Sequence, residues 1–207
     1  MFRPRNLSYE QIRIEADLFL DEHNPERTTP LAIDEIVEFD LRMEVVPIDG
    51  LRPDLRVDAF LSNDLNQVFV DEYVMLHSPA RYRFSLAHEV AHYWLHDELY
   101  QQSTIRSVND FLAVQEALGT GDYSLFETQA NSFAGLILVP KPPLAKAFRA
   151  AAQSLHSAGV KSDLIQHHPT RQFVVKSLSV QFHVSEQTME IRLERDGFLA
   201  SASQYPY

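Results

Sequence analysis

The chain has 207 residues, no cysteine and a formal net charge of −11, from 29 acidic and 18 basic side chains. This length is enough for one domain with its own core and a small appendage, and the lack of cysteine excludes disulfides, thiolate metal sites and cysteine nucleophiles. The acidic balance disfavours direct nucleic-acid binding, which depends on clustered Lys and Arg.

The chain has no apolar run near the roughly 18 residues that a membrane span needs. Its N-terminus also lacks the apolar segment of a signal peptide. We therefore expect a cytoplasmic protein with no membrane association.

The N-terminal third predicts two helices followed by a small sheet. Ser8 is a suitable N-cap for a helix over residues 9–22, and a second helix is expected over 31–41. After the second helix, apolar and polar residues alternate, which predicts three strands at 43–48, 58–62 and 67–71. We expect an antiparallel sheet whose edge strand, 67–71, could pair with an extended substrate.

His88-Glu89-Val90-Ala91-His92 is an H-E-x-x-H motif within a helical run over 81–96. Residues four apart lie on one face of an α-helix, about 6 Å apart, so both imidazoles can reach one metal ion with Glu89 beside them. Two histidines and a third ligand leave one zinc position for a water whose pKa falls toward about 7. Glu89 can take the proton of that water and pass it to a leaving amine, so the motif predicts peptide hydrolysis.

The alternative is that these side chains lie on a solvated helix face. The apolar residues of the helix recur at helical spacing: Phe84, Ala87, Ala91 and Trp94. This stripe predicts a helix buried on one side, with its histidine face toward a cleft. His96 is too far along the axis from His88 to share its metal, and we expect it to be a helix-end histidine near the C-terminal dipole.

A second helix is expected over 123–137, and it carries a candidate third metal ligand, Glu127. Asn131 could accept the outer ring N–H of a ligand histidine and fix its tautomer. The helix has small residues where it would approach the histidine helix: Ala130, Ala134 and Gly135. The alternative for Glu127 is an ordinary first-turn glutamate that the helix dipole stabilises.

The segment 101–123 resembles an inserted helix with a turn at Gly119-Thr120-Gly121, which would line or cover the cleft. The sequence singles out no residue for stabilising the oxyanion of a tetrahedral intermediate. The candidates are His167, His168, Tyr123 and Tyr93.

After a helix over 144–156, residues 171–193 have the spacing of a helix-turn-helix unit. We expect the turn at Phe182-His183-Val184 and Ser185 as the cap of the second helix. The inward apolar positions are expected at Val175, Leu178, Met189, Ile191 and Leu193.

The basic residues over 161–196 are balanced by acidic ones, so this unit has no basic patch. We therefore interpret it as a packing or repressor-docking element rather than a DNA reader. The predicted organisation is a zinc metallopeptidase domain over 1–157 and a helix-turn-helix-like C-terminal unit over 158–207.

Two blocks of the sequence resemble a known family. The segment 83–96, R-F-S-L-A-H-E-V-A-H-Y-W-L-H, and the segment 127–140, E-T-Q-A-N-S-F-A-G-L-I-L-V-P, are similar to the two motif blocks of the ImmA/IrrE zinc metallopeptidases. The resemblance implies an α+β, mainly helical, gluzincin-like core, with zinc held by His88, His92 and Glu127 and with Glu89 as the general base. It also implies a substrate class, because members cleave helix-turn-helix repressors.

Three functions are consistent with the sequence. The first is a zinc endopeptidase, with one zinc per chain, that acts on a repressor or antitoxin-like protein. The second is a sensor or binding module that regulates transcription through a partner protein without turnover. The third is a zinc hydrolase of a non-protein amide, since metal ligands define the attacking water and not the substrate.

Overall fold

A computed structural model describes residues 5–51, 57–101, 108–160 and 167–199. The helices are α1 (Tyr9–His23), α2 (Ile33–Glu35, continued by a π-helical turn at Ile36–Asp40), α3 (Glu72–His77), α4 (Pro79–Gln101), α5 (Val108–Leu138), α6 (Lys141–Ser157), α7 (Thr170–Phe182) and α8 (Glu186–Arg195). The strands are β1 (Glu44–Ile48), β2 (Ala59–Leu61) and β3 (Gln67–Asp71). This is the mainly helical α+β fold that the sequence predicts. None of the helices in these ranges is long and apolar enough to cross a membrane.

The sheet is mixed, and its strand order is β1–β3–β2. β1 runs parallel to β3, whereas β2 runs antiparallel to it, with Ala59 opposite Val70 and Leu61 opposite Val68. The predictions of an antiparallel sheet and of an edge strand at 67–71 were therefore wrong. β3 lies at the centre, where both Val68 and Val70 are fully buried. The apolar pattern of one strand reports which face is buried and not which strands pair with it.

Helix α1 begins with a capping box, in which the Ser8 hydroxyl accepts from the Gln11 amide and the Gln11 side chain accepts from the Ser8 amide. Its buried face includes Phe19, whose ring meets Trp94 of α4 at 5.3 Å and Phe133 of α5 at 5.7 Å, both edge to face. Phe19 therefore packs where α1, α4 and α5 meet, and it fixes the two long helices relative to each other.

Helix α5 is continuous through the predicted turn at Gly119-Thr120-Gly121, so that prediction was wrong. Each glycine in a helix interior costs only about 1 kcal/mol relative to alanine, which packing elsewhere in a long helix can offset. The buried residues in the C-terminal half of α5 supply that packing: Phe126, Ala130, Phe133, Ala134, Leu136, Ile137 and Leu138. Residues 102–107 of the predicted insertion lie outside the described ranges.

Helices α7 and α8 form the predicted helix-turn-helix. His183 adopts the left-handed conformation, φ 53°, at the end of α7, and the Ser185 hydroxyl accepts from the Thr188 amide at the start of α8. Ile191 was expected to point inward, but it is 49% exposed, while Arg192 is buried in its place. The inward face of α8 therefore differs from the predicted one, because Arg192 has polar partners inside the protein.

Arg192 joins α8 to the rest of the protein. Its guanidinium donates to the Val139 carbonyl at 3.2 and 3.3 Å, donates to the Tyr9 hydroxyl, and lies 2.6 Å from the Asp196 carboxylate. A Cβ added at Gly135 would lie 3.4 Å from the Arg192 side chain. Gly135 therefore faces α8 and not the histidine helix, where it was expected.

We predict that Arg192→Ala lowers the free energy of unfolding by about 2–3 kcal/mol, because the Val139 carbonyl loses its buried donor while Asp196 keeps Arg13 as a partner. Urea denaturation monitored by circular dichroism measures this loss. The control is Arg149→Ala on α6, an exposed site where the change should stay within about 0.5 kcal/mol. Equal losses of unfolding free energy in the two variants would show that Arg192 does not hold α8 against the rest of the protein.

Candidate metal centre

Helices α4 and α5 pack side by side and bring three candidate metal ligands together. Glu127 Oε2 lies 3.2 Å from His88 Nε2, and Glu127 Oε1 lies 3.6 Å from His92 Nε2. The two Nε2 atoms are 3.0 Å apart. All three ligand atoms lie within 4.8 Å of one another, so the group is positioned to bind one metal ion.

Small residues allow this approach of the two helices. Ala87 and Ala91 on α4 and Ala130 and Ala134 on α5 have no exposed surface. Their short side chains let the helix axes come close enough for a carboxylate on α5 to reach imidazoles on α4. The close approach expected at Ala130 and Ala134 agrees with their complete burial.

Asn131 was expected to accept from the outer ring N–H of one ligand histidine, and that histidine is His88. His88 Nδ1 lies 3.0 Å from Asn131 Oδ1. An amide oxygen accepts, so the imidazole carries its proton on Nδ1 and presents a lone pair on Nε2. This tautomer is the one that directs Nε2 toward a metal.

The tautomer of His92 is set through a longer chain of contacts, which runs through Gln129 and His96. The Gln129 side chain donates to the Arg5 carbonyl at 2.6 Å, so its oxygen faces His96 Nε2, 2.9 Å away, and accepts from it. His96 Nδ1 then has only a lone pair, and it accepts from His92 Nδ1 at 3.1 Å. His92 Nε2 is left to face the metal position.

His96 is therefore a residue of the metal centre. It ends the first helical segment of α4, as expected, because its backbone departs from helical geometry at φ −132° and ψ 18°. Its ring was expected near the helix dipole, but it is 3% exposed and contacts His92 and Gln129. This kink turns the ring toward His92. The sequence contained a signal, since His96 lies four residues after His92 on the same helix face, but spacing alone cannot reveal a kink.

Phe126 holds both of these imidazoles in place. Its ring stacks on His92 with centroids 4.1 Å apart and packs on His96 at 4.3 Å. An aromatic face against an imidazole excludes water and limits rotation of the ring. Burial also lowers the pKa of His92 to about 3 and the pKa of His96 to about 4, so both side chains are neutral.

The chemistry of the donors fits a cation. His88 and His92 direct Nε2 lone pairs at the Glu127 carboxylate, and these groups repel one another unless a positive charge lies between them. Burial lowers the pKa of His88, but its hydrogen bond to Glu127 and the nearby carboxylates raise it to about 9. Burial raises the pKa of Glu127, but both imidazoles hold it well below its usual range.

Glu89 lies beside the three candidate ligands, His88, His92 and Glu127, and lines the same cavity. It is 3% exposed, and burial raises its pKa to about 7. The Leu61 amide of β2 donates to its carboxylate. A buried carboxylate with this pKa can exchange a proton near neutral pH.

A cavity of about 200 Å³ opens onto the metal position. Its lining includes His88, His92, Glu127, Glu89, Asn131, Phe84, Ser85, Tyr123, Val57, Asp58 and Ala59. Of the four oxyanion candidates, Tyr123 belongs to this lining and His167, His168 and Tyr93 do not. A further tyrosine, Tyr100, was not anticipated: it is buried, its ring lies 6.0 Å from His92, and burial raises its pKa.

An H-E-x-x-H helix with a carboxylate from the following helix is the type of site that metallopeptidases use. The sequence model of the IrrE N-terminal-like domain, Peptidase_M78, matches residues 62–194, which is more than half of the chain. The chain therefore belongs to this metallopeptidase family.

The fold is similar to that of a solved protein described as a Mycobacterium tuberculosis transcriptional regulator, with a TM-score of 0.54 over 88% of this chain. The two sequences are 20% identical, so the similarity concerns the fold alone. This chain spans about half of the regulator, 55% of its length. Among curated proteins, no match to this chain was found.

We predict that His96→Leu weakens zinc binding by about 10-fold to 100-fold, because the buried Nδ1–H of His92 loses its acceptor. Competition with a chelating dye measures the affinity, and ¹⁵N chemical shifts of the His92 ring report its tautomer. His77→Leu, at an exposed histidine of α3, is the control and should change neither quantity. An unchanged His92 tautomer in His96→Leu would contradict the proposed chain of contacts.

Proposed function

We propose that this protein is a zinc-dependent endopeptidase that cleaves a regulatory protein, a helix-turn-helix repressor or an antitoxin-like partner. The observation that carries the proposal is the convergence of His88, His92 and Glu127 on one point, with the buried Glu89 beside them. Two imidazoles and one carboxylate are the ligand set of several zinc peptidases.

Zinc suits these donors better than magnesium or calcium, which prefer sites made only of oxygen ligands. When bound, zinc would polarise a substrate carbonyl and lower the pKa of a water molecule. The three side chains leave one side of the site facing the cavity, where the carbonyl and the water would enter. Asn131 and His96 would keep the two imidazoles in the tautomer that binds the metal.

Glu89 is proposed as the catalytic residue. Its carboxylate would accept a proton from the attacking water and donate it to the nitrogen of the leaving amine. Burial has raised the pKa of Glu89 to about 7, which suits a group that must both take and release a proton near neutral pH. Tyr123 lines the same cavity and is our candidate for donating a hydrogen bond to the oxyanion.

Strand β2 offers a surface for the main chain of a substrate. Asp58 and Ser62 hydrogen-bond with β3 on either side of β2. Because backbone groups alternate along an antiparallel strand, the N–H and C=O of Ala59 point away from β3, toward the edge of the sheet. Ala59 also lines the metal cavity, so an extended peptide paired with β2 would pass the metal position.

The substrate class is inferred from the family and from charge. A net charge of −11 favours association with a basic protein, and the DNA-binding face of a repressor is basic. We propose that residues 1–157 carry catalysis and that the C-terminal unit, 158–207, takes part in docking. Such a substrate would be met in the cytoplasm.

A sensor that binds a partner without cleaving it is a second candidate. The specific observation in its favour is the fold similarity to a protein described as a transcriptional regulator. The two candidates differ in one measurable outcome, which is whether the bound partner is cut.

We predict that Glu89→Gln keeps one zinc per chain but lowers the cleavage rate by about 10²-fold to 10⁴-fold, because the amide cannot accept the proton. The measurements are elemental analysis of the purified protein and cleavage of a helix-turn-helix repressor encoded beside its gene. Glu98→Gln, at an exposed glutamate of the same helix, is the control and should behave like the wild type. Near wild-type cleavage by Glu89→Gln would refute the role of Glu89.

We predict that Glu127→Gln loses zinc and activity together, because a neutral amide is a poorer ligand than a carboxylate. Replacing His88 and His92 together with alanine should abolish zinc binding. Zinc content and repressor cleavage are again measured side by side. If wild-type protein binds zinc and the repressor but never cuts it, the sensor becomes the better assignment.

A further inference from the structure

A second cavity, of about 640 Å³, extends from the metal centre toward the C-terminal unit. It shares Asp58, Phe84 and Asn131 with the cavity that opens onto the metal position. The two cavities are therefore adjacent at these residues. A polypeptide with a peptide bond at the metal would have the second cavity beside it.

Helices α5 and α8 form two walls of this second cavity. The α5 wall is formed by Thr128, Asn131, Ser132 and Gly135. On the α8 wall, beside Thr188 and Arg192, three residues form a stripe at helical spacing: Gln187, Ile191 and Arg195. We refer to these three residues of α8 as the α8 stripe.

The α5 wall has little capacity to select a ligand. The Thr128 hydroxyl donates to the Ser124 carbonyl at 2.7 Å, and the Ser132 hydroxyl donates to the Thr128 carbonyl at 2.8 Å. Both hydroxyl groups are therefore used within their own helix, Gly135 has no side chain, and the oxygen of Asn131 is used by His88. The α5 wall can accommodate a chain, but it offers few donors to recognise one.

The α8 stripe, in contrast, has side chains that can recognise a ligand. Ile191 is 49% exposed, and within the described ranges Gln187 makes no hydrogen bond and Arg195 has no carboxylate partner. The Arg195 guanidinium lies over the Tyr9 ring, 4.8 Å from its centre. The stripe thus presents an amide, an aliphatic side chain and a positive charge, in that order along the helix.

The position of the start of α8 also bears on the role of the helix-turn-helix. In a DNA-binding unit of this kind, the N-terminal residues of the second helix enter the major groove. Here Ser185, Gln187 and Thr188, at the start of α8, line the cavity next to the metal centre. DNA bound by these residues would therefore lie over this cavity.

We propose that the second cavity binds the substrate polypeptide next to the cleaved bond and that the α8 stripe selects its sequence, with an apolar residue against Ile191 and a carboxylate beside Arg195. This inference rests on the proposed peptidase function. It gives the C-terminal unit a defined task, which is to form one wall of the substrate cleft.

The absence of cysteine makes a direct test possible, because Ile191→Cys and Val180→Cys each introduce a single thiol. Val180 is the matched control, since it is a β-branched residue of α7, is 67% exposed and does not line the cavity. The probe is a hydroxamate, which anchors on the metal, joined to a short peptide that contains leucine and glutamate and ends in a chloroacetamide. Two versions carry the peptide on opposite sides of the hydroxamate.

We expect one version to alkylate the thiol at position 191 at least about tenfold faster than the thiol at position 180, because the anchor raises the local concentration of the electrophile. Rates are divided by those with iodoacetamide to remove differences in thiol reactivity. An excess of acetohydroxamate should abolish the difference. Replacing glutamate by lysine in the peptide should slow the reaction at position 191 alone.

Equal rates at the two positions, with acetohydroxamate binding normally to the metal-loaded protein, would overturn the cleft assignment and leave the peptidase proposal intact. Equal rates with glutamate and lysine would overturn the role of Arg195. If acetohydroxamate does not bind the metal-loaded protein, the metal centre itself is wrong, and the cleft assignment falls with it.

Discussion

The structure depends on one constraint: a carboxylate on α5 must reach two imidazoles on α4. Glu127 meets this condition only at one register of the two helices, and the same register places Asn131 against His88, Gln129 against His96 and Phe126 on the ring of His92. A slip of one helical turn, about 5.4 Å, would break all of these contacts at once. The buried alanines between the helices and the packing of Phe19 against both of them maintain this register.

Two glutamates that are neighbours in space have different properties because their carboxylates have different contacts. Burial raises the pKa of Glu127, but the two imidazoles against its carboxylate hold that pKa below its usual range. Glu89 is also buried, and the single Leu61 amide does not compensate, so its pKa rises to about 7. Groups whose environments separate their pKa values in this way can take different roles in one reaction. In our proposal the first glutamate binds metal, whereas the second transfers a proton.

The C-terminal helix pair is connected to this centre through Arg192. The buried guanidinium ties α8 to the end of α5 and to Tyr9, and it therefore fixes the face that α8 turns toward the cleft. An arginine in this position costs desolvation energy and contributes to stability only while its partners are in place. Its orientation exposes Ile191 at the cavity wall, which is why we interpret the unit as part of the substrate site.

The sequence by itself determined the local features: the H-E-x-x-H helix, the helix that carries Glu127 and Asn131 four residues apart, the cap at Ser185 and the helix-turn-helix. These features depend on helical spacing and capping, which involve only residues close together in the chain. Only the tertiary structure decided the order of the strands, the inward turn of His96, the continuity of α5 and the exposure of Ile191. Each of these depends on contacts between distant segments, such as β3 between its two neighbours or Arg192 against Val139, and the energy of those contacts outweighs local preference.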